Sequence, residues 1–224
     1  MGTIINVIAI IVGGMIGLIF RERFPERIAQ TALQVMGLFT FVVGIQMALQ
    51  GKEVILILIS LASGAILGEV IQIEDRLERF GKWIEKFLKA TQGSPAQGFI
   101  YASLVFAVGS MAIVGSIADG VKGDHSILVT KAMMDGIVSI PFAAGMGPGV
   151  LGSAATILVY QGSLTLLAGG LQSFFNPLLI SQLTAVGGVL VMGIGVNILG
   201  LKKIKVANFL PSLVVIILLT LIWN

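Results

Sequence analysis

The chain has 224 residues, of which 56% are hydrophobic and only 11% are charged, and its mean hydropathy is +1.03. Soluble domains carry roughly 25% charged residues, so this composition excludes a water-soluble globular fold. The absence of cysteine excludes disulfides, thiolate metal sites and cysteine nucleophiles. The net charge of +3 is explained by basic loops facing the cytoplasm and does not call for a nucleic-acid partner.

Apolar runs bounded by charged residues, glycine or proline predict a bundle made only of α-helices, with about eight transmembrane spans. The first run is followed, not preceded, by its arginines, so we expect it to remain in the mature protein and not to be a cleaved signal. The predicted spans are 3–20, 27–49, 54–73, 98–118, 126–145, 149–171, 178–200 and 206–223.

The distribution of lysine and arginine predicts the orientation of these spans. If the N-terminus lies outside, the inward loops carry eleven basic residues, whereas the outward loops carry two. Because basic loops stay in the cytoplasm, an even number of spans places both termini outside.

The segment 74–91 is predicted to form an amphipathic helix on the cytoplasmic membrane surface. Its apolar residues recur at helical spacing, its basic and acidic residues occupy the rest of the wheel, and Trp83 suits the headgroup level. A partner-docking role for this helix is an alternative to a purely structural one.

A weak internal repeat divides the chain into two related membrane halves, 1–95 and 96–224. The spacing of Gly37, Thr40 and Gly44 in span two matches that of three residues in span six, namely Gly162, Thr165 and Gly169. Such halves are common in secondary transporters and can be parallel or inverted. The alternative is a chance match among 29 glycines, whose primary use in membrane helices is close packing. Glycine-rich faces also allow a homodimer.

Ionisable residues inside spans are costly, at about 2.5–3.5 kcal/mol each, and are therefore candidates for function. Lys131 and Asp135 lie four residues apart in span five, where they can pair on one helical face. Asp119 closes span four, after a glycine- and serine-rich stretch with Ser110 and Ser116 that allows the helix to unwind. The alternative is a self-neutralising pair and a small-residue packing face.

Other polar residues give weaker signals. Glu69 lies near the cytoplasmic end of span three and can simply reach the interface. His125 is expected to be a solvated loop residue, and no constellation of catalytic residues is recognisable, so we expect neither an enzyme nor a cofactor. The remaining polar residues of the spans are expected to form interhelical hydrogen bonds, and they are Asn6, Gln46, Gln161, Thr165 and Asn197.

Three ordered blocks carry a resemblance to a known family: Gly109-Ser-Met-Ala-Ile-Val-Gly-Ser-Ile-Ala-Asp-Gly120, Lys131-Ala-Met-Met-Asp-Gly136 and Tyr160-Gln-Gly-Ser-Leu-Thr-Leu-Leu-Ala168. Over essentially its whole length the chain resembles the uncharacterised bacterial inner-membrane family, domain of unknown function 554, typified by YdfK and YqgA. The resemblance implies a multi-pass protein of the bacterial cytoplasmic membrane. It implies no substrate and no catalytic residues.

The sequence therefore predicts a transporter or channel for a small solute or ion, with a polar site between the two halves. The predicted site residues are Ser110, Ser116, Asp119, Lys131 and Asp135. The carboxylates would bind a cation or proton, and Lys131 would neutralise one of them until it is displaced. The alternative is a non-transporting scaffold or sensor that binds partners through helix 74–91.

Overall fold

The protein, described by a computed structural model over residues 1–23, 26–79 and 95–223, is built from helices and has no strand in those ranges. The α-helices in chain order are α1 (Gly2–Arg23), α2 (Glu26–Ala48), α3 (Val54–Ile71), α4 (Pro95–Ala107), α5 (Ser110–Lys122), α6 (Ser126–Met146), α7 (Gly149–Leu166), α8 (Ala168–Leu171), α9 (Pro177–Ile198) and α10 (Pro211–Trp223). A short helical stretch at 73–79 follows α3, and a single 3-10 turn at Val206–Phe209 precedes α10. Residues 80–91 of the predicted amphipathic helix lie outside the described residues.

Seven segments of the described chain are long and apolar enough to cross a membrane, and the pair α4 and α5 makes an eighth span if it is counted as one. The two helices of that pair are bent by 62°. The bend falls at Val108 and Gly109, where Gly109 has extended backbone. The predicted number of spans is thus confirmed. Unwinding is confined to the bend, however, and Ser110 to Ser116 are helical.

Helices α1 and α6 run parallel and approach each other closely. A side-chain carbon on Gly13 would lie 2.1 Å from the carbonyl oxygen of Gly136, and one on Gly17 would lie 2.1 Å from that of Ile140. Residue numbers increase in the same direction along both helices from the first contact to the second, so the helices are parallel. Only glycine permits such backbone contact, because any Cβ would collide with the partner helix.

Helices α2 and α9 run antiparallel along what we call the glycine seam, formed by Gly37, Gly44, Gly188 and Gly195. A Cβ on Gly188 would lie 2.7 Å from the carbonyl oxygen of Gly44, and one on Gly195 would lie 2.9 Å from that of Gly37. Each helix offers two glycines seven residues apart, or about two turns, so both contacts fall on one face.

The remaining spans pair in the same way. Helices α3 and α10 are antiparallel, because Gly64 meets Ser212 and Gly68 meets Asn208. Helix α4 runs parallel to α7, with Gly149 against the carbonyl of Pro95 and Ser103 Oγ 3.0 Å from Thr156 Oγ1.

These directions place the strongly basic loops at one end of the bundle. Lys203 Nζ lies 3.2 Å from Glu78 Oε1, which joins the loop after α9 to the stretch after α3. At the opposite end the backbone N–H of Gly2 donates to Asp119 at 2.9 Å. Helix α10 starts beside the end of α3 and runs back antiparallel to it, so Trp223 lies at the same end as the N-terminus.

The packing does not confirm the predicted repeat of two halves. Gly37 and Gly44 form part of the glycine seam, whereas Gly162 and Gly169 have no other group within 4 Å of an added Cβ. The matched glycines therefore have different surroundings. Each of α1, α2 and α3 also packs along a helix from beyond residue 95.

The packing predicts both termini on one side of the membrane, and the basic loops predict that this side is external. Reporter fusions at residue 90 should read cytoplasmic, and fusions in loop 50–53 or after residue 224 should read periplasmic. A cytoplasmic C-terminus would contradict the eight-span arrangement, because it requires an odd number of crossings.

Substitution in the glycine seam should destabilise the bundle. In Gly188→Ala the new Cβ would lie 2.4 Å from the backbone nitrogen of Ala48, so the helices must separate, at a cost of about 1–3 kcal/mol. The matched control is Gly162→Ala, where nothing lies within 4 Å and helix propensity favours alanine by about 1 kcal/mol. Apparent thermal unfolding of the purified protein should show a lower midpoint for Gly188→Ala only. Equal midpoints for the two variants would show that the seam tolerates separation.

Candidate functional site

The interior of the bundle holds an ion pair. Lys131 and Asp135 lie one turn apart on α6, with side chains only 8% and 10% exposed, and Lys131 Nζ contacts Asp135 Oδ2. The spacing of four residues places both groups on one face of the helix. Residues 131 and 135 fall within the span Ser126–Met146, so the pair lies inside the membrane-spanning part of the protein.

Two fully buried amides extend the pair across three helices. Asn6 on α1 donates from Nδ2 to Asp135 Oδ2 at 2.9 Å and to Gln161 Oε1 on α7 at 3.2 Å. Asn6 and Gln161 form the interhelical hydrogen bonds predicted from the sequence, but the sequence did not indicate that they surround the ion pair. The signal available in the sequence was their position in otherwise apolar spans, which does not identify a partner.

Several buried polar atoms around this network have no hydrogen-bond partner among the described residues. They include Asn6 Oδ1, Gln161 Nε2 and Ser116 Oγ. An unsatisfied buried polar atom costs about 1–3 kcal/mol, so a water molecule or a polar solute that bonds to it is favoured there. Ser116 precedes Gly120 by one turn, and Gln161 precedes Thr165 by one turn. Gly120 packs on the carbonyl of Thr165, so Ser116 and Gln161 lie at the same level.

A cavity of about 190 Å³ opens onto the pair, and we call it the ion-pair cavity. Its polar lining comprises Lys131, Asp135, Ser110, Gln50 and Thr184. The bend between α4 and α5 forms part of the same wall, since Val108 and Gly109 also line it. The polar groups thus meet the place where the backbone of a span is interrupted.

Asp135 also faces a second, smaller cavity of about 90 Å³. This cavity is lined by Thr40, whose hydroxyl oxygen is buried and has no hydrogen-bond partner among the described residues. The Asp135 carboxylate therefore borders two cavities.

The five predicted site residues do not form one cluster. Ser110, Lys131 and Asp135 share the ion-pair cavity, whereas Ser116 and Asp119 do not line it. Asp119 lies near the C-terminal end of α5, at the same end of the bundle as the N-terminus, where its carboxylate accepts a hydrogen bond from Gly2 N at 2.9 Å and contacts His125 Nδ1 at 2.5 Å. His125 is therefore not simply a solvated loop residue, as the sequence suggested.

A second polar cluster fastens the opposite end of the bundle. Glu74 is buried and its Oε2 accepts from the backbone N–H of Ala207 at 2.8 Å, while its own N–H donates to Asn208 Oδ1 at 2.7 Å. Burial raises the pKa of the Glu74 carboxyl, against the opposing effect of the Ala207 hydrogen bond. The side chain of Glu69 is 60% exposed and accepts hydrogen bonds from Asn208 Nδ2 and Lys205 Nζ. This cluster holds the connection before α10 against the end of α3.

Removing one member of the ion pair should lower the free energy of unfolding more than removing both. Truncating one partner, in Lys131→Met or Asp135→Asn, leaves the other group buried and unpaired, which costs about 3–5 kcal/mol. The double variant leaves no unpaired charge at this site and should be markedly less destabilised than the worse single variant. Apparent unfolding midpoints of the three variants and the wild type measure this coupling. Additive effects of the two single changes would show that the groups do not interact.

Comparison with known proteins agrees with the helical membrane architecture. A family model described as "Protein of unknown function (DUF554)" matches residues 1–221. The chain is 38% identical to an uncharacterized membrane protein, YdfK, of Bacillus subtilis (strain 168) over 218 residues, covering 96% of this chain and 93% of that protein. It is 26% identical to an uncharacterized protein, YqgA, of Escherichia coli (strain K12) over 228 residues, covering 100% of this chain and 97% of that protein. No solved structure matches. The chain is an integral membrane protein that belongs to the DUF554 family.

Proposed function

We propose that the protein is a secondary transporter of a small solute or ion in the bacterial cytoplasmic membrane, with the pair Lys131 and Asp135 at its binding site. The observation that carries this proposal is that both charged groups line a cavity at the interruption of a span. Transporters commonly build their sites from broken helices near the middle of the membrane.

The cost of burying charge supports a functional role for the pair. A well-packed apolar pair would give the same fold without the desolvation of two ions, and buried salt bridges often contribute little net stability. Asn6 adds a buried amide that donates to the carboxylate. Lys131 and Asp135 together carry no net charge, and each can exchange the other for a ligand of the same charge. A transport cycle requires such an exchange.

The proposed cycle exchanges the partners of Asp135. A proton or cation binds the carboxylate and releases Lys131 Nζ from it, so that the ammonium can hold an anionic group of the solute. When Lys131 and Asp135 pair again, the proton or cation and the solute are both released. The structural elements that would change accessibility are α4 and α5, because their bend borders the cavity.

The alternative of a scaffold that docks partners through segment 74–91 has less support. In its described part, Glu74 and Glu78 are bonded to the connection before α10. The described part of the segment, residues 74–79, is therefore engaged within the protein.

Transport should depend on the pair. In proteoliposomes that contain a pH-sensitive dye, the wild type should give saturable proton or solute movement with at least one member of a panel of alkali cations, organic acids and amines. The variant Lys131→Met with Asp135→Asn should reduce this to the level of empty liposomes while staying folded. The matched control removes an ion pair at the surface, Lys203→Met with Glu78→Gln, whose groups lie 3.2 Å apart, and should retain transport.

Wild-type flux in the interior double variant would show that the pair is structural. The site would then be sought around Ser116 and Asp119.

A further inference from the structure

We infer that the solute is an amphipathic monocarboxylic acid that enters sideways from the bilayer, along α7 and α8, and delivers its carboxylate to Lys131. This inference rests on the proposed transport function and specifies its substrate class. It is carried by a row of three adjoining hollows with lining residues in common, which runs from the lipid-facing surface to the ion pair.

The outer hollow, which we call the lateral groove, has a volume of about 620 Å³ and lies along α7 and α8, with Phe99 of α4 at its side. Its walls include Phe99, Val159, Tyr160, Leu164 and Leu167. Val159 and Leu167 are 68% and 61% exposed, so the groove opens on the surface that faces lipid in a membrane. An opening of this kind admits hydrocarbon and not a hydrated ion.

The groove adjoins the ion-pair cavity through one intermediate hollow of about 190 Å³. Tyr160 and Leu164 line both the groove and the intermediate hollow. Val108, Gly109 and Thr184 line both the intermediate hollow and the ion-pair cavity. The bend between α4 and α5 therefore forms part of the wall between the intermediate hollow and the ion-pair cavity.

The ion-pair cavity favours a ligand that accepts hydrogen bonds. The Lys131 ammonium carries three N–H donors, and its one hydrogen bond among the described residues goes to Asp135. Two donors are left for the oxygens of a carboxylate. Helix α5 begins at Ser110 in the same cavity, and the positive end of its dipole adds to this preference.

A carboxylic acid can replace Asp135 without creating net charge. The neutral acid crosses the apolar groove, its O–H bond breaks, and the proton forms a new O–H bond on the Asp135 carboxylate. The resulting solute carboxylate pairs with the Lys131 ammonium, so one anion and one cation are present before and after the step. The exchange therefore avoids the cost of an unpaired buried charge.

An amine does not fit this exchange equally well. Its ammonium form would replace Lys131 at Asp135 and leave a second ammonium in the cavity, unless Lys131 lost its proton. The two spare donors of Lys131 would also have no acceptor.

The test is binding of radiolabelled octanoate to the full chain in lipid nanodiscs, corrected for empty nanodiscs. The wild type should bind saturably, and acetate and octylammonium should compete at least tenfold more weakly than unlabelled octanoate. Val159→Trp, which places an indole in the groove, should weaken octanoate binding at least tenfold. Ile137→Trp on α6 is the matched control, because Ile137 is also 68% exposed, and should bind as the wild type does.

Ala155→Leu supplies a second, milder obstruction of the groove and should also weaken binding. Wild-type binding in both groove variants would overturn the lateral route, and stronger competition by octylammonium would overturn the substrate class. Octanoate binding that survives Lys131→Met with Asp135→Asn would show partition into apolar space and overturn the inference. If octanoate fails to bind while pair-dependent flux of another solute persists in proteoliposomes, the inference fails and the transport function stands. If pair-dependent flux is also absent, both fail.

Discussion

The rest of the structure depends on one constraint, which is that the spans lie in hydrocarbon and their polar groups must be satisfied within the protein. In hydrocarbon each charged group must find a partner, and Lys131 and Asp135 find each other within one turn of α6. The pair cannot separate without a replacement for each partner, which couples any movement of one group to the arrival of a ligand for the other. A surface pair such as Lys203 and Glu78 has water available and carries no such coupling.

Close packing of the backbones brings the remaining polar groups to that pair. The contact of Gly13 with Gly136 draws α1 against α6, and this approach puts Asn6 within 2.9 Å of Asp135. The glycines thus have a role beyond filling narrow space: they set the distance at which short amide side chains can reach across helices. A larger residue at Gly13, whose Cβ would lie 2.1 Å from the carbonyl oxygen of Gly136, would separate the helices and lengthen the Asn6 hydrogen bond.

The sequence predicted the spans because hydrocarbon thickness imposes a length and a composition on each one, and it predicted the ion pair because helical spacing is local. It could not predict which distant residues surround that pair. Asn6 and Gln161 lie on other helices, and residue spacing within one helix does not show which helices pack together. It grouped Asp119 with Ser110 by their proximity in sequence. Nine steps along a continuous helix instead separate them by about 13 Å, and Asp119 lies at the end of the bundle where Gly2 begins α1.

The bend between α4 and α5 is held at its two arms, and at its centre Gly109 is loosely surrounded. On one arm Pro95 packs on Gly149, and on the other arm Gly120 packs on the carbonyl of Thr165. At the centre an added Cβ on Gly109 would meet only Met47 Cε, at 3.9 Å, whereas the side chain of Val108 packs directly on Gly187. A change of angle at Gly109 would therefore disturb no close contact of that residue, but it would shift Val108 against Gly187. Because the bend borders the ion-pair cavity, such a change would alter access to Lys131 while α6 and its hydrogen bonds to α1 stay in place.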